Sequence, residues 1–169
     1  YGLTERVEVG IDVPYVVQGG GFLDGFIIDY HDVFGFPQSG RDQAPRNRLL
    51  YRYSRDGVET LRVDHSESGI GDVRLWAGYQ LYNDGEEYPR AAALRASVKL
   101  PTGDSDALAG SGSTDAALWL TAGDGFGLPL GHGAVFAAAG VLGMTEGDVL
   151  PEQQQNHVFF GTLGGGWSP

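Results

Sequence analysis

The sequence contains no cysteine, and its 11 lysines and arginines are outnumbered by 22 acidic residues. The absence of cysteine excludes disulfides, a thiolate nucleophile and a cysteine-ligated zinc site. The formal net charge of −11 argues against a nucleic-acid backbone as the partner. The chain also lacks the run of about 20 apolar residues that a membrane-spanning helix requires.

Glycine, by contrast, occupies 28 of the 169 positions, without the three-residue period of collagen. Hydrophobic residues make up 41% of the chain, and the aromatic residues are eight phenylalanines, eight tyrosines and three tryptophans. This apolar content is enough for one folded domain of this length. We therefore expect a single all-β domain over residues 1–169.

Apolar and polar residues alternate with a period of two in three long segments, as in β-strands with two different faces. The first segment runs from Val7 to Tyr15, and the others cover residues 71–83 and 91–102, where Pro101 marks the end of the strand. Weaker strands are predicted at 48–55, 58–65, 114–122, 133–144 and 157–167. The pattern predicts a meander of about eight antiparallel strands.

Short and long connections alternate along this meander. Asp-Gly pairs at residues 56–57, 84–85 and 124–125 predict tight hairpin turns, and the long links are residues 18–47, 66–70, 103–113 and 146–156. Short turns at one end and long loops at the other are typical of outer-membrane β-barrels. Three of the predicted strands also reach the roughly 9–11 residues that cross an apolar layer.

The first long link contains a segment with helical rather than strand periodicity. Its apolar residues at 22–34 recur at helical spacing and are Phe22, Leu23, Phe26, Ile27, Tyr30 and Phe34. This spacing predicts a short amphipathic helix. The helix either plugs the barrel or packs against its rim, and the rim is the preferred interpretation.

Polar side chains fall on the strand faces opposite the aliphatic rows. They are Arg74, Gln80, Arg95, Ser97 and Lys99. In a membrane barrel these faces line the lumen, because an Arg or Lys facing lipid costs about 2–4 kcal/mol at the midplane. The residues either bias a pore toward anionic or polar solutes or form salt bridges with Asp72 and other acids. The second interpretation is preferred, because buried charges are usually paired.

No residue pattern indicates catalysis or a cofactor. The histidines, His31, His65, His132 and His157, lie in no recognisable catalytic setting, and residues 110–113 lack the spacing of a nucleophile elbow. Asp104, Asp106 and Asp115 offer oxygen ligands for Ca²⁺, but their spacing is not that of an EF-hand, and we interpret them as turn carboxylates. We predict no catalytic residue, no metal and no cofactor.

The loop after residue 100 carries a family resemblance. Its signature consists of Pro101, Thr102, Gly103, Asp104, Asp106, Gly110, Ser111, Gly112 and Asp115. With residues 69–73 and 79–82, it resembles Gram-negative outer-membrane barrels of unknown function, related to outer-membrane components of meta-pathway phenol degradation. The resemblance covers most of residues 10–122 and implies an up-and-down barrel in the outer membrane, in contact with its lipid, without known catalytic residues.

Proteins of this kind are longer, which implies that residues 1–169 are part of a larger barrel of about 12 strands. We expect the domain to be incomplete at its C-terminus and open to extension at its N-terminus. The predicted function is a passive channel or structural barrel, with small hydrophobic compounds as candidate solutes and no enzyme activity. The alternatives are a soluble, lipocalin-like ligand-binding barrel and a barrel-embedded hydrolase.

Overall fold

The computed structural model describes residues 1–85 and 88–169 and has a mainly antiparallel β fold. It also contains one α-helix, α1 (Asp24–Phe34), and two 3₁₀ turns, Arg41–Gln43 and Pro151–Gln153. The strands are β1 (Val7–Asp12), β2 (Tyr15–Gln18), β3 (Tyr51–Arg55), β4 (Val58–Val63), β5 (Glu67–Ile70), β6 (Val73–Asn83), β7 (Arg90–Leu100), β8 (Asp115–Leu128), β9 (Gly131–Met144) and β10 (His157–Ser168).

The main sheet has six strands in the order β1-β6-β7-β8-β9-β10, and every pairing is antiparallel. From β6 onward the strands follow one another as a meander. Within the described residues, β10 pairs only with β9, and residues 1–4 turn back along the outer edge of β1, where the Val9 amide donates to the Tyr1 carbonyl at 2.9 Å. The antiparallel all-β prediction is confirmed, but the sheet is not closed into a barrel.

The first predicted strand is interrupted at Pro14. Because proline has no backbone N–H to donate, the ladder breaks there and resumes as β2 paired with β5. The Gly71 amide donates to the Pro14 carbonyl at 2.9 Å, so β2 and β5 continue the line of the β1–β6 pair. The predicted loop at 66–70 therefore contains the strand β5, and residues 1–85 and 88–169 form ten strands rather than the predicted eight.

One of the three predicted tight turns is confirmed, and one lies partly outside the described residues. Asp56 and Gly57 join β3 to β4 with φ values of 51° and 79°, as a type I′ turn requires, and Gly85 follows β6 with φ of 64°. The remainder of that second connection includes residues 86–87, which lie outside the described residues. The turn predicted at 124–125 is wrong: Asp124 pairs with Val135 inside the β8–β9 ladder, and the chain reverses only at Pro129, which cannot donate to a ladder.

The predicted helix is confirmed as α1, in the connection between β2 and β3. Its one buried side chain is Ile28. Arg41 and the Asn47 amide bind the Asp24 carboxylate at 3.0 and 2.7 Å, so the helix is tied to its own connection. No helix in the described part of the chain is long and apolar enough to cross a membrane.

Burial in the main sheet is the reverse of that in a water-soluble protein. Over residues 94–99 of β7 the exposed residues are apolar and the partly buried ones are polar: Leu94, Ala96 and Val98 against Arg95, Ser97 and Lys99. We call these two surfaces the aliphatic face and the polar face. In β8, Leu118 and Leu120 on the aliphatic face are 47% and 46% exposed. Among the described residues, the buried hydrophobic side chains all lie outside the six-stranded sheet, at Ile28, Leu49, Val63 and Ala107.

Several glycines of the polar face lie beneath a large side chain from a neighbouring strand. A Cβ at Gly10 would collide with the Trp76 ring, one at Gly164 with the Phe136 ring, and one at Gly140 with Trp119. The aromatic rings therefore lie sideways over the neighbouring strand. These close approaches account for part of the high glycine content.

Gly140→Val should lower the free energy of unfolding by about 1–3 kcal/mol, because its Cβ would meet the Trp119 side chain and the Leu118 carbonyl. Gly143→Val in the same strand is the control, since a Cβ there meets nothing within 4 Å in the described structure. Equilibrium unfolding in urea gives both values. Equal losses in the two variants would contradict the packing explanation.

Candidate functional site

The five polar residues predicted to share a surface all lie on the polar face. Arg74 and Gln80 come from β6, and Arg95, Ser97 and Lys99 from β7, with Arg74 directly opposite Lys99 in the register. Two clefts lie on this face, and each of the five residues lines one of them.

The first cleft lies toward the long-loop end of the sheet and has a volume of about 260 Å³. Its lining combines charged and apolar side chains: Arg74, Ser97, Lys99, Asp115, Trp119, Leu142 and Phe160. The Trp119 and Phe160 rings lie 6.5 Å apart, tilted by 57°. This cleft can accept an aromatic or amphiphilic molecule.

The second cleft lies toward the short-turn end and has a volume of about 510 Å³. Arg95 and Glu8 both line it, with Arg95 Nη2 2.6 Å from Glu8 Oε1 and both side chains partly exposed. Small residues such as Gly78 and Ala93 line the wall beside Thr121 and leave this space open.

Lys99 is the centre of a nearly buried polar cluster at the long-loop end. Its ammonium lies 3.1 Å from Asp72 Oδ2 and 2.8 Å from Asp115 Oδ2. It also donates to the hydroxyls of Ser111 and Ser113. The Lys99, Asp72 and Asp115 side chains are 16%, 8% and 17% exposed, so these charges are compensated by direct pairing rather than by water.

Asp72, between β5 and β6, ties the loop after β7 to this cluster. Its carboxylate accepts hydrogen bonds from the Gly103 amide at 3.0 Å and the Ser111 amide at 2.9 Å. Burial, the largest single influence, raises the pKa of Asp72, but the Ser111 and Gly103 amides, Lys99 and the Ser111 hydroxyl together hold it below the ordinary 3.8. Asp72 is therefore a carboxylate at neutral pH and is paired with the Lys99 side chain.

The loop signature also stabilises this end of the sheet through its turns. Asp104 Oδ1 accepts the Asp106 and Ala107 amides at 2.9 and 3.3 Å, as in a turn capped by its own carboxylate. The Thr102 hydroxyl donates to the Gly71 carbonyl at 2.9 Å, just after Pro101 ends the ladder with β6.

The glycines of the signature lie where no larger residue fits. A Cβ on Gly103 would meet the Ala109 carbonyl at 2.7 Å, and one on Gly110 would strike Asp72. Gly112 has φ of 73° and lies against Asp148 in the β9–β10 connection. The signature thus joins the β7–β8 and β9–β10 loops, where the Asp148 amide donates to the Ser111 carbonyl at 3.0 Å.

The geometry required for catalysis or metal binding is not assembled in the described residues. No serine hydroxyl lies within hydrogen-bond distance of a histidine there. Nor does any group of three or more histidine, aspartate and glutamate side chains in that part of the chain converge for a metal ion. Asp115, a candidate cation ligand from the sequence, instead binds Lys99 and accepts from the Ser113 hydroxyl at 2.6 Å.

Sequence reasoning missed several members of the two clefts. Glu8 belongs to the first alternating strand, but its pairing with Arg95 depends on β1 lying beside β6, which periodicity does not reveal. Trp119 and Phe160 come from strands that were predicted without assigning their faces. The alternation of β8 was a usable signal, since Trp119 falls between Leu118 and Leu120.

The fold and the polar face together define an open antiparallel sheet with an uncovered aliphatic surface. The chain belongs to the protein family described as Protein of unknown function (DUF3187), whose model matches residues 1–169. No curated protein and no solved structure matches the chain. The resemblance to outer-membrane barrels of phenol degradation stays a prediction.

Asp72→Asn should lower the free energy of unfolding by about 1–3 kcal/mol at neutral pH, because it leaves nearly buried donors without a charged acceptor. A lowered pKa in the folded state means that the carboxylate stabilises the fold above pH 3.8, and that this contribution is lost as the pH falls through the lowered pKa. Urea unfolding of the parent and the variant across acid pH measures the difference.

The control is Asp106→Asn, which removes a carboxylate from the same loop without touching the Lys99 cluster. We expect that variant to match the parent. A destabilisation by Asp72→Asn that stays constant down to the lowest pH at which the parent is folded would show that the charge of Asp72 is irrelevant.

Proposed function

We propose that the chain forms the wall of an outer-membrane β-barrel that acts as a passive channel or structural barrel. The observation that carries this proposal is the reversed burial of the main sheet, in which aliphatic side chains are exposed and charged ones are paired on the other face. Small hydrophobic compounds are the candidate solutes, and outer-membrane lipid is the partner of the aliphatic face.

The exposed aliphatic rows support a lipid environment on energetic grounds. Leu118, Leu120 and Val141 occupy adjacent strands and are each nearly half exposed. A contiguous apolar surface of this kind is unfavourable in water and marks a contact with lipid or another apolar body. In a bilayer the same rows contact hydrocarbon at no cost in free energy, whereas a charged side chain in their place would be costly.

Strand length and loop arrangement support the same environment. β6 and β7 have 11 residues each, and β8 and β9 have 14, which is enough to cross an apolar layer at a tilt. Lipid cannot satisfy unpaired backbone groups, so the proposal requires that the outer edges of β1 and β10 be paired in the membrane. In this arrangement the polar face lines the lumen.

The clefts of the polar face suit a passive path rather than catalysis. Trp119, Leu142 and Phe160 offer apolar contacts to a hydrophobic solute, while Arg95 and Glu8 neutralise each other nearby. Lys99 donates to the Ser111 hydroxyl and pairs with two carboxylates, which is the arrangement of a structural salt-bridge cluster. We therefore propose no enzyme activity.

The soluble alternative requires the opposite distribution of side chains. A lipocalin-like barrel encloses its aliphatic rows and exposes its charges, whereas over residues 94–99 of β7 the exposed residues are Leu94, Ala96 and Val98. A hydrolase requires a serine beside a histidine, and the described residues contain no such pair. The observations favour the membrane barrel over both.

Leu120→Arg should prevent membrane assembly, because arginine on the lipid face costs about 2–4 kcal/mol at the midplane. Thr121→Arg is the matched control. Thr121 is the next residue in β8, but it lies on the polar face and lines the larger cleft, which has room for an arginine. Both variants are expressed with an export signal, followed by membrane fractionation and gel mobility of the extracted protein before and after heating.

We expect the parent and Thr121→Arg to be recovered in the outer membrane with heat-dependent mobility, and Leu120→Arg to be lost from it. Conductance of the extracted parent in planar bilayers then distinguishes a channel from a structural barrel. Recovery of the parent as a soluble monomer, with Leu120→Arg equally well folded, would overturn the membrane proposal.

A further inference from the structure

Helix α1 and the residue two positions before it expose an apolar surface, which we call the aromatic face: Phe22, Phe26, Tyr30, Val33 and Phe34. Phe22, Phe26 and Val33 are 85%, 68% and 77% exposed. The rings contact one another along the helix, with centroids 6.2 Å apart for Phe26 and Tyr30 and 4.6 Å apart for Tyr30 and Phe34. The residues recur at a spacing of three or four, so they form one stripe.

The other side of the helix is already occupied by its own connection. Ile28 is buried there, and Gln38 Nε2 donates to the Ile28 carbonyl at 2.9 Å and to Asp32 Oδ1 at 2.7 Å. Internal packing of α1 thus uses the Ile28 side and leaves the aromatic face outward. This orientation is fixed, because Arg41 also binds Asp24 at the start of the helix.

A run of arginines follows the helix in the same connection. Arg41, Arg46 and Arg48, which we call the basic segment, share residues 41–48 with a single acidic residue, Asp42, in a chain of net charge −11. Arg46 and Arg48 are exposed, and neither lies within 4 Å of a carboxylate in the described structure. The Asn47 amide between them donates to Asp24 of α1, so the basic segment is fixed beside the helix.

We infer that α1 and the basic segment bind a bilayer surface, with the aromatic face in the interface and the arginines on lipid phosphates. An amphipathic helix with large aromatic side chains inserts its apolar face at the boundary of head groups and acyl chains. Arginine binds phosphate in a bidentate way, and each basic residue adds to the attraction of an anionic surface. The helix itself carries only acidic charges, so the basic segment supplies this attraction.

The position of this connection fits a bilayer surface. It leaves the sheet after β2 at the long-loop end, where the Gln18 amide group donates to the Ala107 carbonyl at 2.5 Å. An element at the end of membrane-crossing strands lies at the level of the head groups. The inference extends the proposed function, and the experiment below separates the failure of one from the failure of the other.

The test uses the absence of cysteine, since single cysteines can be introduced into the full chain and labelled with an environment-sensitive fluorophore. Phe26→Cys reports on the aromatic face, Asp29→Cys on an exposed polar position of the same helix, and Leu118→Cys on the aliphatic face of the sheet. Each labelled chain is mixed with vesicles of phosphatidylcholine containing about one third phosphatidylglycerol.

We expect blue-shifted emission at residue 26 on addition of vesicles and little change at residue 29. A shift at 118 without one at 26 would overturn this inference and leave the membrane barrel standing. A shift at residue 26 without one at residue 118 would support this inference and overturn the membrane barrel, because the helix would then bind the surface without insertion of the sheet. A shift at 26 that depends on protein concentration in the absence of vesicles would mean that a second copy covers the face.

The role of charge is tested by the pair Arg46→Gln and Arg48→Gln. We expect the double variant to bind the anionic vesicles about 30-fold less tightly, and neutral vesicles as the parent does. The matched control is Arg52→Gln with Arg55→Gln, which removes two arginines that already have acidic neighbours, Glu59 and Asp56. Equal losses in both double variants would refute a specific role for the basic segment.

Discussion

The register of the antiparallel ladder is the constraint on which the other features of the sheet depend. Side chains alternate between faces, so a slip of one residue would move Arg95 and Lys99 of β7 onto the aliphatic face. The Lys99 cluster opposes such a slip, because Lys99 stands opposite both Arg74 and Asp115 and binds the latter directly. A polar cluster at the end of the strands thus sets the position of an apolar surface far from it.

Glycine allows this sheet to carry large side chains on its polar face. At Gly10, Gly140 and Gly164 a neighbouring aromatic ring lies across the strand, where any Cβ would collide with it. The rings therefore stay against the sheet and leave the space beside Arg95 open. The same residues weaken the strands individually, since glycine loses the most conformational freedom on folding. The paired ladder must compensate for that loss.

The sequence pattern predicted the structural features that depend on a single segment of the chain. It gave the strands of the meander, the Asp56-Gly57 turn and the helix, since each has a local signal. It failed at β5, whose four residues are too few to show a period, and at Asp124, where a local turn signal is overridden by long-range pairing with β9. The Arg95–Glu8 pair was also invisible, because it depends on which strands are neighbours.

The buried hydrophobic residues of the described chain are confined to one of its two parts. They are Ile28, Leu49, Val63 and Ala107, and they lie in the connections at the long-loop end. Among the described residues the six-stranded sheet has no buried hydrophobic side chain, because its aliphatic rows face outward and the rings on its polar face line an open cleft. In the proposed membrane barrel, such a sheet is stabilised by an apolar environment outside it rather than by packing within. The boundary between the two parts runs through Asp72 and Lys99, where the strands end and the loops begin.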